Sequence, residues 1–218
     1  MIDPQSNHKV WRSLYAQGKA DLRYPSEAFV RLSHRLLGPD RPGRVLDFGF
    51  GTGANLVHLG KLGHQLDGLE ISTHAIERAG ARLQADGLTA NLQLFNPGDI
   101  FPFPDASFDA VIAWQVLYYN DWQSLRWGVA QIERVCKPGG LVLAAMAAPG
   151  DISQTLAKPL GDSVYESQVP GQEGCIVLIP ERADLERFFP QRHLEVGEFS
   201  YRFGESVSRH WVVVYRKE

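Results

Sequence analysis

Apolar residues recur along the chain with two different periods, and the change between them predicts the order of secondary structure. In the first 43 residues they recur at steps of three and four, which is the spacing of amphipathic helices. The positions with this spacing are Trp11, Leu14, Tyr15, Phe29, Leu32 and Leu36. From residue 44 onward, short apolar runs alternate with helical patterns. N-terminal helices therefore precede a region of alternating strands and helices.

Short apolar runs in this region predict five consecutive strands. The predicted strands are residues 44–48, 65–71, 91–96, 109–114 and 141–147, and the predicted helices between them are residues 53–63, 72–87 and 121–136. Short strands that alternate with helices form a parallel sheet with helices on both faces. We therefore expect a doubly wound α/β fold.

The C-terminal part departs from this alternation. Residues 149–179 contain three prolines and several glycines and predict an irregular insertion. A short helix is predicted at residues 181–189, and two strands at 193–203 and 209–216 can pair as an antiparallel hairpin at the sheet edge. The whole pattern predicts a mostly parallel, seven-stranded sheet with an antiparallel C-terminal strand.

Composition and charge are those of an ordinary globular protein. The chain has 218 residues, of which 44% are hydrophobic and 22% charged, with a formal net charge of −3. We divide it into an N-terminal helical segment, residues 1–43, and a sheet domain, residues 44–218. A slightly acidic chain has no general attraction to nucleic acid, so we expect no nucleic-acid partner.

The cysteines, histidines and apolar runs indicate where the protein is located and whether it binds a membrane or a metal ion. Cys136 and Cys175 are too few and too far apart for a disulfide framework, which predicts a reducing, cytoplasmic location. The N-terminus lacks the apolar stretch of a signal peptide, and the run at 141–148 is far shorter than the ~20 residues that a membrane span needs. The histidines show no metal-binding spacing, so neither a membrane nor a metal ion is expected.

The stretch VLDFGFGTG, residues 45–53, is the strongest chemical signal in the chain. Gly49, Gly51 and Gly53 follow the first predicted strand at every second position. Ligands of open α/β sheets bind beyond the carboxyl ends of the strands, and glycines there let a ligand approach the backbone. The stretch therefore predicts a ligand cradle, with a tight turn that binds nothing as the alternative.

Three acidic residues narrow the choice of ligand. The glycine spacing is not that of the dinucleotide motif, because Ala54 stands where its third glycine would be. Asp47 would repel a pyrophosphate but suits an amino group. Glu70 ends the second strand, where an acid can bind ribose hydroxyls, although nicotinamide dinucleotide sites share that feature. Asp99, just past the third strand, could receive an exocyclic amine.

Residues 44–147 resemble the class I S-adenosylmethionine-dependent methyltransferases of the small-molecule type. The motifs that carry the resemblance are, in order, VLDFGFGTG, LEIS, GDI, SFDAVIAW and KPGGLVL. The resemblance implies a Rossmann-like fold, S-adenosylmethionine as cofactor and metal-independent methyl transfer by in-line displacement. In such a displacement, alignment of the reacting atoms supplies much of the acceleration.

The resemblance also implies roles for individual residues. Asp47 would lie near the amino group of the cofactor, Glu70 would bind the ribose hydroxyls and Asp99 the adenine amine. The other positions that would line the cofactor are Gly49, Phe50, Gly51, Gly53, Ile71, Ile100, Trp114 and Gln115. Phe50 departs from the family pattern, in which a small residue or cysteine is commoner, and we expect its ring to shape the donor pocket.

The acceptor side is less clearly defined. In this family it is built by segments that correspond here to residues 8–35, 115–121 and 148–179. The loop after the fourth strand lacks the NPPY or DPPY signature of nucleic-acid and protein N-methylation, which favours a small-molecule acceptor. Tyr118 and Tyr119 in this loop are candidate proton carriers or, alternatively, pocket walls.

Several alternatives remain open at this point. Trp11, Tyr15 and Tyr24 are candidate lid residues, because aromatic faces suit a sulfonium cation, or they simply pack a helix. His210 is a further catalytic candidate or a structural histidine. An NAD(P)-dependent oxidoreductase and a non-catalytic cofactor-binding domain are the competing functions. The attacking atom, the need for a general base, and the choice between monomer and homodimer do not follow from the sequence.

Overall fold

The computed structural model describes residues 6–189 and 193–218 and contains a large sheet and a small one. The strands are β1 Arg44–Phe48, β2 Gln65–Glu70, β3 Ala90–Leu94, β4 Phe108–Trp114, β5 Cys136–Ala147, β6 Ala157–Gly161, β7 Val164–Ser167, β8 Ile176–Leu178, β9 Glu195–Phe203 and β10 Ser206–Arg216. The large sheet has seven strands in the order β3-β2-β1-β4-β5-β10-β9. Strands β1 to β5 are parallel, and β10 runs antiparallel to both of its neighbours. The predicted fold class is confirmed.

The helices of the described residues are α1 Ser6–Ala16, α2 Glu27–Leu36, α3 Ala54–Lys61, α4 Thr73–Ala85, α5 Trp122–Val135, α6 Ile152–Thr155 and α7 Arg182–Phe188. Of these, α3, α4 and α5 connect parallel strands, as the sequence predicts. Ser72 caps α4 by accepting a hydrogen bond from the backbone of Ala75 at 3.4 Å, and Asp121 caps α5 through Ser124 at 2.8 Å. Both caps satisfy N–H groups that the first helical turn leaves unpaired.

The sheet separates two hydrophobic cores. Along β4, Val111 and Ala113 face the core that contains residues of α5 and α7, whereas Ala110 and Ile112 face the core with α2, α3 and α4. This division follows from the two-residue period of a strand. Because β1 to β5 run parallel, their carboxyl ends and the loops that follow them all lie at the same edge of the sheet.

The two N-terminal helices differ in their packing. On α2, Phe29 is fully buried and belongs to the same core as Leu56 of α3. By contrast, α1 lies nearer the loops of the sheet edge, where Arg12 donates a hydrogen bond to the carbonyl of Ile71 at 2.8 Å. Residues 1–5 of the predicted N-terminal segment lie outside the described residues.

Residues 149–179 are not irregular, so that sequence prediction is wrong. Strands β6, β7 and β8 form a three-stranded antiparallel sheet. Pro159 is tolerated because it lies in an edge strand, where its missing N–H is not needed. Asp162 and Ser163 form the two-residue turn between β6 and β7, with φ of 49° and 58°. Such turns usually carry glycine or asparagine, so the hairpin signal of these two residues is weak.

Within the described ranges, the structure contains neither a helix that could cross a membrane nor a cluster of residues that could hold a metal ion. None of the helices there combines the length and the hydropathy that a membrane crossing requires. The same part of the chain contains no group of three or more histidine, cysteine, aspartate or glutamate residues arranged to hold a metal ion.

Candidate active site

The glycine loop after β1 passes close beneath neighbouring elements. Gly49 has φ of 70° and Gly51 φ of 55°, in the left-handed region that disfavours side chains. A Cβ at position 49 would collide with the side chain of Val116, and one at position 51 would lie 2.9 Å from the hydroxyl of Tyr15. Gly53 begins α3. The loop therefore fits between α1 and the loop after β4 because positions 49 and 51 carry no side chain.

Glu70 ends β2 as a buried, fully oriented carboxylate. It accepts hydrogen bonds from the backbone N–H groups of Gly51 at 2.9 Å, Ile71 at 2.7 Å and Ser72 at 3.1 Å. Burial raises its pKa, while these three N–H groups act in the opposite direction. The bonds hold the carboxylate against the glycine loop, at the carboxyl edge where the sequence predicts ribose binding.

Asp47 is the most conspicuous polar residue of this edge because its carboxylate has no partner. The side chain is buried in β1, and neither oxygen accepts a hydrogen bond. Burial, together with the nearby charge of Glu70, raises the pKa of Asp47 well above its ordinary value. A buried carboxylate without a partner is unfavourable. An ammonium group bound beside Asp47 would supply the missing hydrogen bonds, so the residue fits the cofactor that the sequence implies.

The loop after β3 is open to solvent, in contrast to Asp47 and Glu70. Asp99 is exposed and accepts a 3.3 Å hydrogen bond from the side chain of Asn96. Ile100 is 70% exposed, which is unusual for a large apolar side chain, while Ile71 is half-buried. A flat apolar ligand bound here would cover Ile100 with its face, and a polar group at the edge of the same ligand could bind Asp99.

The rings of Phe50 and Trp114 point into the core. Phe50 is buried, and its ring lies so close to β2 that a Cβ on Gly68 would be 2.5 Å from it. The structure thus places the Phe50 ring against β2 in the core, and a role of this ring in shaping the donor pocket stays a prediction. Trp114 packs between Phe29, with ring centroids 5.2 Å apart, and Phe199, at 5.6 Å with nearly parallel planes. Gly68, in mid-strand, was the signal that a bulky ring approaches β2.

Gln115 and His210 meet where β4 ends beside the antiparallel strand β10. Gln115 has φ of 58°, and its side-chain nitrogen lies 2.9 Å from Nε2 of His210. His210 is buried, and its Nδ1 lies 4.0 Å from a carboxylate oxygen of Asp151. Burial lowers the pKa of His210, and Asp151 opposes that shift only in part. His210 is therefore a neutral imidazole that holds Gln115 in a strained conformation.

Tyr118 and Tyr119 are adjacent phenols, of which the first is buried and the second half-buried. Their hydroxyl groups are 3.3 Å apart, and the Tyr119 hydroxyl donates to Gln172 at 3.1 Å. The ring of Tyr118 lies 5.9 Å from that of His210. Burial raises the pKa of both tyrosines, so both stay protonated at neutral pH. They can donate hydrogen bonds but are poor proton acceptors.

Two of the three lid candidates join the same aromatic cluster. On α1, the ring centroid of Trp11 lies 5.8 Å from that of Tyr15 and 4.9 Å from that of Tyr119. The indole N–H of Trp11 is buried without a hydrogen-bond partner. Tyr24 is 77% exposed, in the segment that follows α1. The structure thus brings Trp11 and Tyr15 to the site and leaves Tyr24 at the surface.

Asn7 is a site residue that sequence reasoning missed. Its buried side chain accepts a hydrogen bond from the backbone N–H of Ile176 at 2.6 Å and donates to the carbonyl of Ile176 at 2.8 Å. It also donates to the carbonyl of Tyr119 at 2.6 Å. One amide therefore ties α1 to β8 and to the loop after β4. Nothing in the local sequence marks Asn7, because its partners are distant along the chain.

Comparison with known proteins agrees with this geometry. Residues 45–140 match the family model of a methyltransferase domain. The matched part includes the glycine loop, Glu70 and the loop that carries Tyr118 and Tyr119. Over these residues the chain is therefore similar in sequence to methyltransferase domains, in agreement with the resemblance that residues 44–147 carry.

Individual relatives share part of the chain or its fold. It is 34% identical over 149 residues to malonyl-[acyl-carrier protein] O-methyltransferase of Erwinia pyrifoliae, covering 65% of this chain and 53% of that protein. It is 35% identical over 122 residues to 27-O-demethylrifamycin SV methyltransferase of Amycolatopsis mediterranei, covering 52% of this chain and 43% of that protein. The chain spans about half the length of these two curated relatives.

One solved structure covers the whole fold. It is the 1,6-didemethyltoxoflavin-N1-methyltransferase of Burkholderia thailandensis, with bound 1,6-didemethyltoxoflavin and S-adenosylhomocysteine. The similarity covers 100% of this chain and 91% of that one, with a TM-score of 0.71 and 15% sequence identity. At this identity the similarity establishes the fold.

Proposed function

We propose that the protein transfers the methyl group of S-adenosylmethionine to a small-molecule acceptor. The observation that carries the proposal is the unpaired, buried carboxylate of Asp47 beside the oriented carboxylate of Glu70. An ammonium group and a ribose diol are the two groups that such a pair suits, and the cofactor has both. A pyrophosphate at the same place would be repelled, which argues against the NAD(P)-dependent oxidoreductase.

The remaining donor contacts follow from this placement. Asp99 receives the adenine amine, and Ile100 and Ile71 cover the faces of the base. Gly49, Gly51 and Gly53 allow the methionine part of the cofactor to lie against the backbone. Trp114 contributes its main chain rather than its ring, because the ring is packed in the core. Gln115 follows it at the edge of the same subsite.

The acceptor side provides alignment more than acid–base chemistry. When bound, the cofactor supplies a methyl group that is already activated on a sulfonium. The chain then has to hold the acceptor in line with it, a task for which the walls formed by buried Tyr118 and half-buried Trp11 and Tyr119 are suited. The hydroxyl proton of Tyr118 is already donated to Tyr119 and that of Tyr119 to Gln172, so the two phenols orient the acceptor by contact. His210 acts on Gln115, not directly on the acceptor.

A small-molecule acceptor agrees with two of the three reported relatives, whereas the name of the third gives a malonyl group on an acyl-carrier protein. The acceptors named for two of them, 27-O-demethylrifamycin SV and 1,6-didemethyltoxoflavin, are small molecules, and they are methylated on oxygen and nitrogen respectively. A non-catalytic domain gains no support from these relatives. The cytoplasmic location and the monomeric or homodimeric state stay predictions.

Calorimetry and a transfer assay test the proposal. We expect S-adenosylhomocysteine to bind and NAD to give no heat of binding. With tritium-labelled S-adenosylmethionine and a cell extract, label should appear in the small-molecule fraction and not after Glu70→Ala. Absence of S-adenosylhomocysteine binding, or label confined to nucleic acid or protein, would contradict it.

A further inference from the structure

A strap of residues 17–26 connects α1 to α2 and has no apolar anchor of its own. Residues 17–24 are exposed, and they include Leu22 at 69% and Tyr24 at 77% exposure. Ala20 has φ of 55°, a strained conformation for a residue with a side chain. Segments with few buried apolar contacts open easily. The position of the strap must therefore depend on polar contacts with the rest of the domain.

Arg82, on α4, supplies contacts to the strap. Its Nη1 lies 2.8 Å from the carbonyl oxygen of Leu22, and its Nη2 lies 2.7 Å from a carboxylate oxygen of Asp21. The guanidinium is largely shielded, with 20% of the Arg82 side chain exposed. Charge-assisted bonds of this kind are stronger than neutral ones, and a lysine cannot reproduce the fork of donors.

The same guanidinium also holds the glycine loop. Nη1 of Arg82 lies 2.9 Å from the carbonyl oxygen of Thr52 and 2.7 Å from its hydroxyl oxygen. Thr52 stands between Gly51 and Gly53, is buried, and donates its hydroxyl to the carbonyl of Leu22 at 3.2 Å. A single side chain therefore joins the strap to the loop that lies against the cofactor.

The chain segment that leads into the strap crosses the donor side of the site. Arg12 binds the carbonyl of Ile71 directly after Glu70, and the Tyr15 hydroxyl lies over Gly51. The strap then reaches Thr52. From residue 12 to residue 22 the chain thus passes over the ends of β1 and β2.

We propose that Arg82 is a positioning residue that latches the strap over the donor site and thereby sets how long the cofactor or its product stays bound. This inference rests on the proposed function, because it takes the edge near Asp47 and Glu70 as the donor site. Opening of the latch must precede release, so a weaker latch speeds both entry and exit. The two donor carboxylates remain in place when the latch is removed.

The test uses Arg82→Lys and Arg82→Ala with S-adenosylhomocysteine as the probe. Stopped-flow fluorescence should show that both association and dissociation are faster, dissociation by about tenfold, the effect of losing one charge-assisted hydrogen bond. Without ligand, hydrogen exchange of the amides in residues 17–26 should also accelerate. If Arg82→Ala proves too unstable to purify, Asp21→Asn removes the charge of one strap-side partner, leaves the bonds from Arg82 to Thr52 intact, and must still speed dissociation.

Arg44→Lys is the matched control. Arg44 makes a bidentate pair with buried Asp67, at 2.8 and 2.9 Å, near the opposite end of β1. This substitution should lower the melting temperature without changing the ligand rates. Unchanged dissociation in the Arg82 variants, or an equal change in Arg44→Lys, overturns the latch. Failure of the proposed function would look different from failure of the latch alone. In that case the wild-type protein would not bind S-adenosylhomocysteine at all, and both proposals would be wrong.

Discussion

The proposed donor half and the proposed acceptor half of the site are built in different ways. The donor half comes from the loops after β1, β2 and β3, which lie close together in the sequence. The acceptor half is assembled from α1, the loop after β4, the small sheet and β10. Its central contact joins Asn7 to Ile176, 169 residues apart. A local pattern specifies the first half, whereas only the folded chain assembles the second.

The two halves also differ in how their polar groups are satisfied. In the donor half, Asp47 has a buried carboxylate without a partner, and Asp99 is open to solvent. In the acceptor half, the side chains of Asn7, Tyr118 and Tyr119 already have partners within the protein, while the indole N–H of Trp11 has none. The proposed donor half therefore offers carboxylates to its ligand, and the proposed acceptor half offers mainly the shape of its walls. The following predictions probe this difference.

Glu70→Ala should have the largest effect. It leaves the N–H groups of Gly51, Ile71 and Ser72 without their acceptor, each worth about 1–3 kcal/mol when buried. Urea unfolding should show a loss of several kcal/mol, and calorimetry should show at least about a hundredfold weaker binding of S-adenosylhomocysteine. Glu77→Ala, on the exposed face of α4, is the control. Near-unchanged affinity in Glu70→Ala would refute the donor assignment.

Asn7→Ala should cost stability without a comparable loss of donor affinity. Three hydrogen bonds to buried backbone groups of Tyr119 and Ile176 disappear, which predicts a loss of about 2–4 kcal/mol in urea unfolding. Affinity for S-adenosylhomocysteine should change much less than in Glu70→Ala, because the donor loops are built separately. An equal loss of affinity in the two variants would show that the halves are not separable.

Asp47→Asn should weaken donor binding about tenfold or more while making the ligand-free protein more stable at neutral pH. The folded state raises the pKa of Asp47 above its value in the unfolded chain. The protonated form of Asp47 therefore favours the folded state. This stability is fully present below the ordinary aspartate pKa, about 4, and is lost as the pH rises through the raised pKa of the folded state.

The wild-type melting temperature should therefore fall between about pH 4 and 7 relative to that of Asp47→Asn. Thermal melts across this range without ligand measure the difference. If the two curves run parallel, the carboxylate of Asp47 is not strained by burial, and the main argument for an ammonium ligand is lost.

Ile100→Ser should have the smallest effect. Because Ile100 is 70% exposed, its loss should leave the melting temperature unchanged. Contact with an adenine ring would bury it, so S-adenosylhomocysteine should bind about fivefold more weakly. Leu160→Ser, a partly exposed leucine of β6, is the control for surface hydrophobicity. Equal affinities in these two variants would remove Ile100 from the adenine site.

The sequence predicted the parts of this protein that depend on nearby residues. Apolar periodicity located β1 to β5, because each strand is a run of neighbouring residues. Asp47 and Glu70 could be assigned to one edge because parallel strands end together.

The remainder depends on contacts between distant segments. The direction of the Phe50 ring depends on the space above Gly68 in another strand. Asn7 and Arg82 act through backbone groups far away in the sequence, which impose no pattern on the residues around them. The small sheet was missed because its hairpin turn lacks the usual residues.

A crystal structure of the protein with S-adenosylhomocysteine would show whether Asp47 and Glu70 bind the cofactor. We expect the amino group of the ligand within hydrogen-bond distance of the Asp47 carboxylate, its ribose hydroxyls at Glu70 and its adenine against Ile100. A ligand bound elsewhere, or one bound at this edge that leaves the Asp47 carboxylate without a partner, would contradict it.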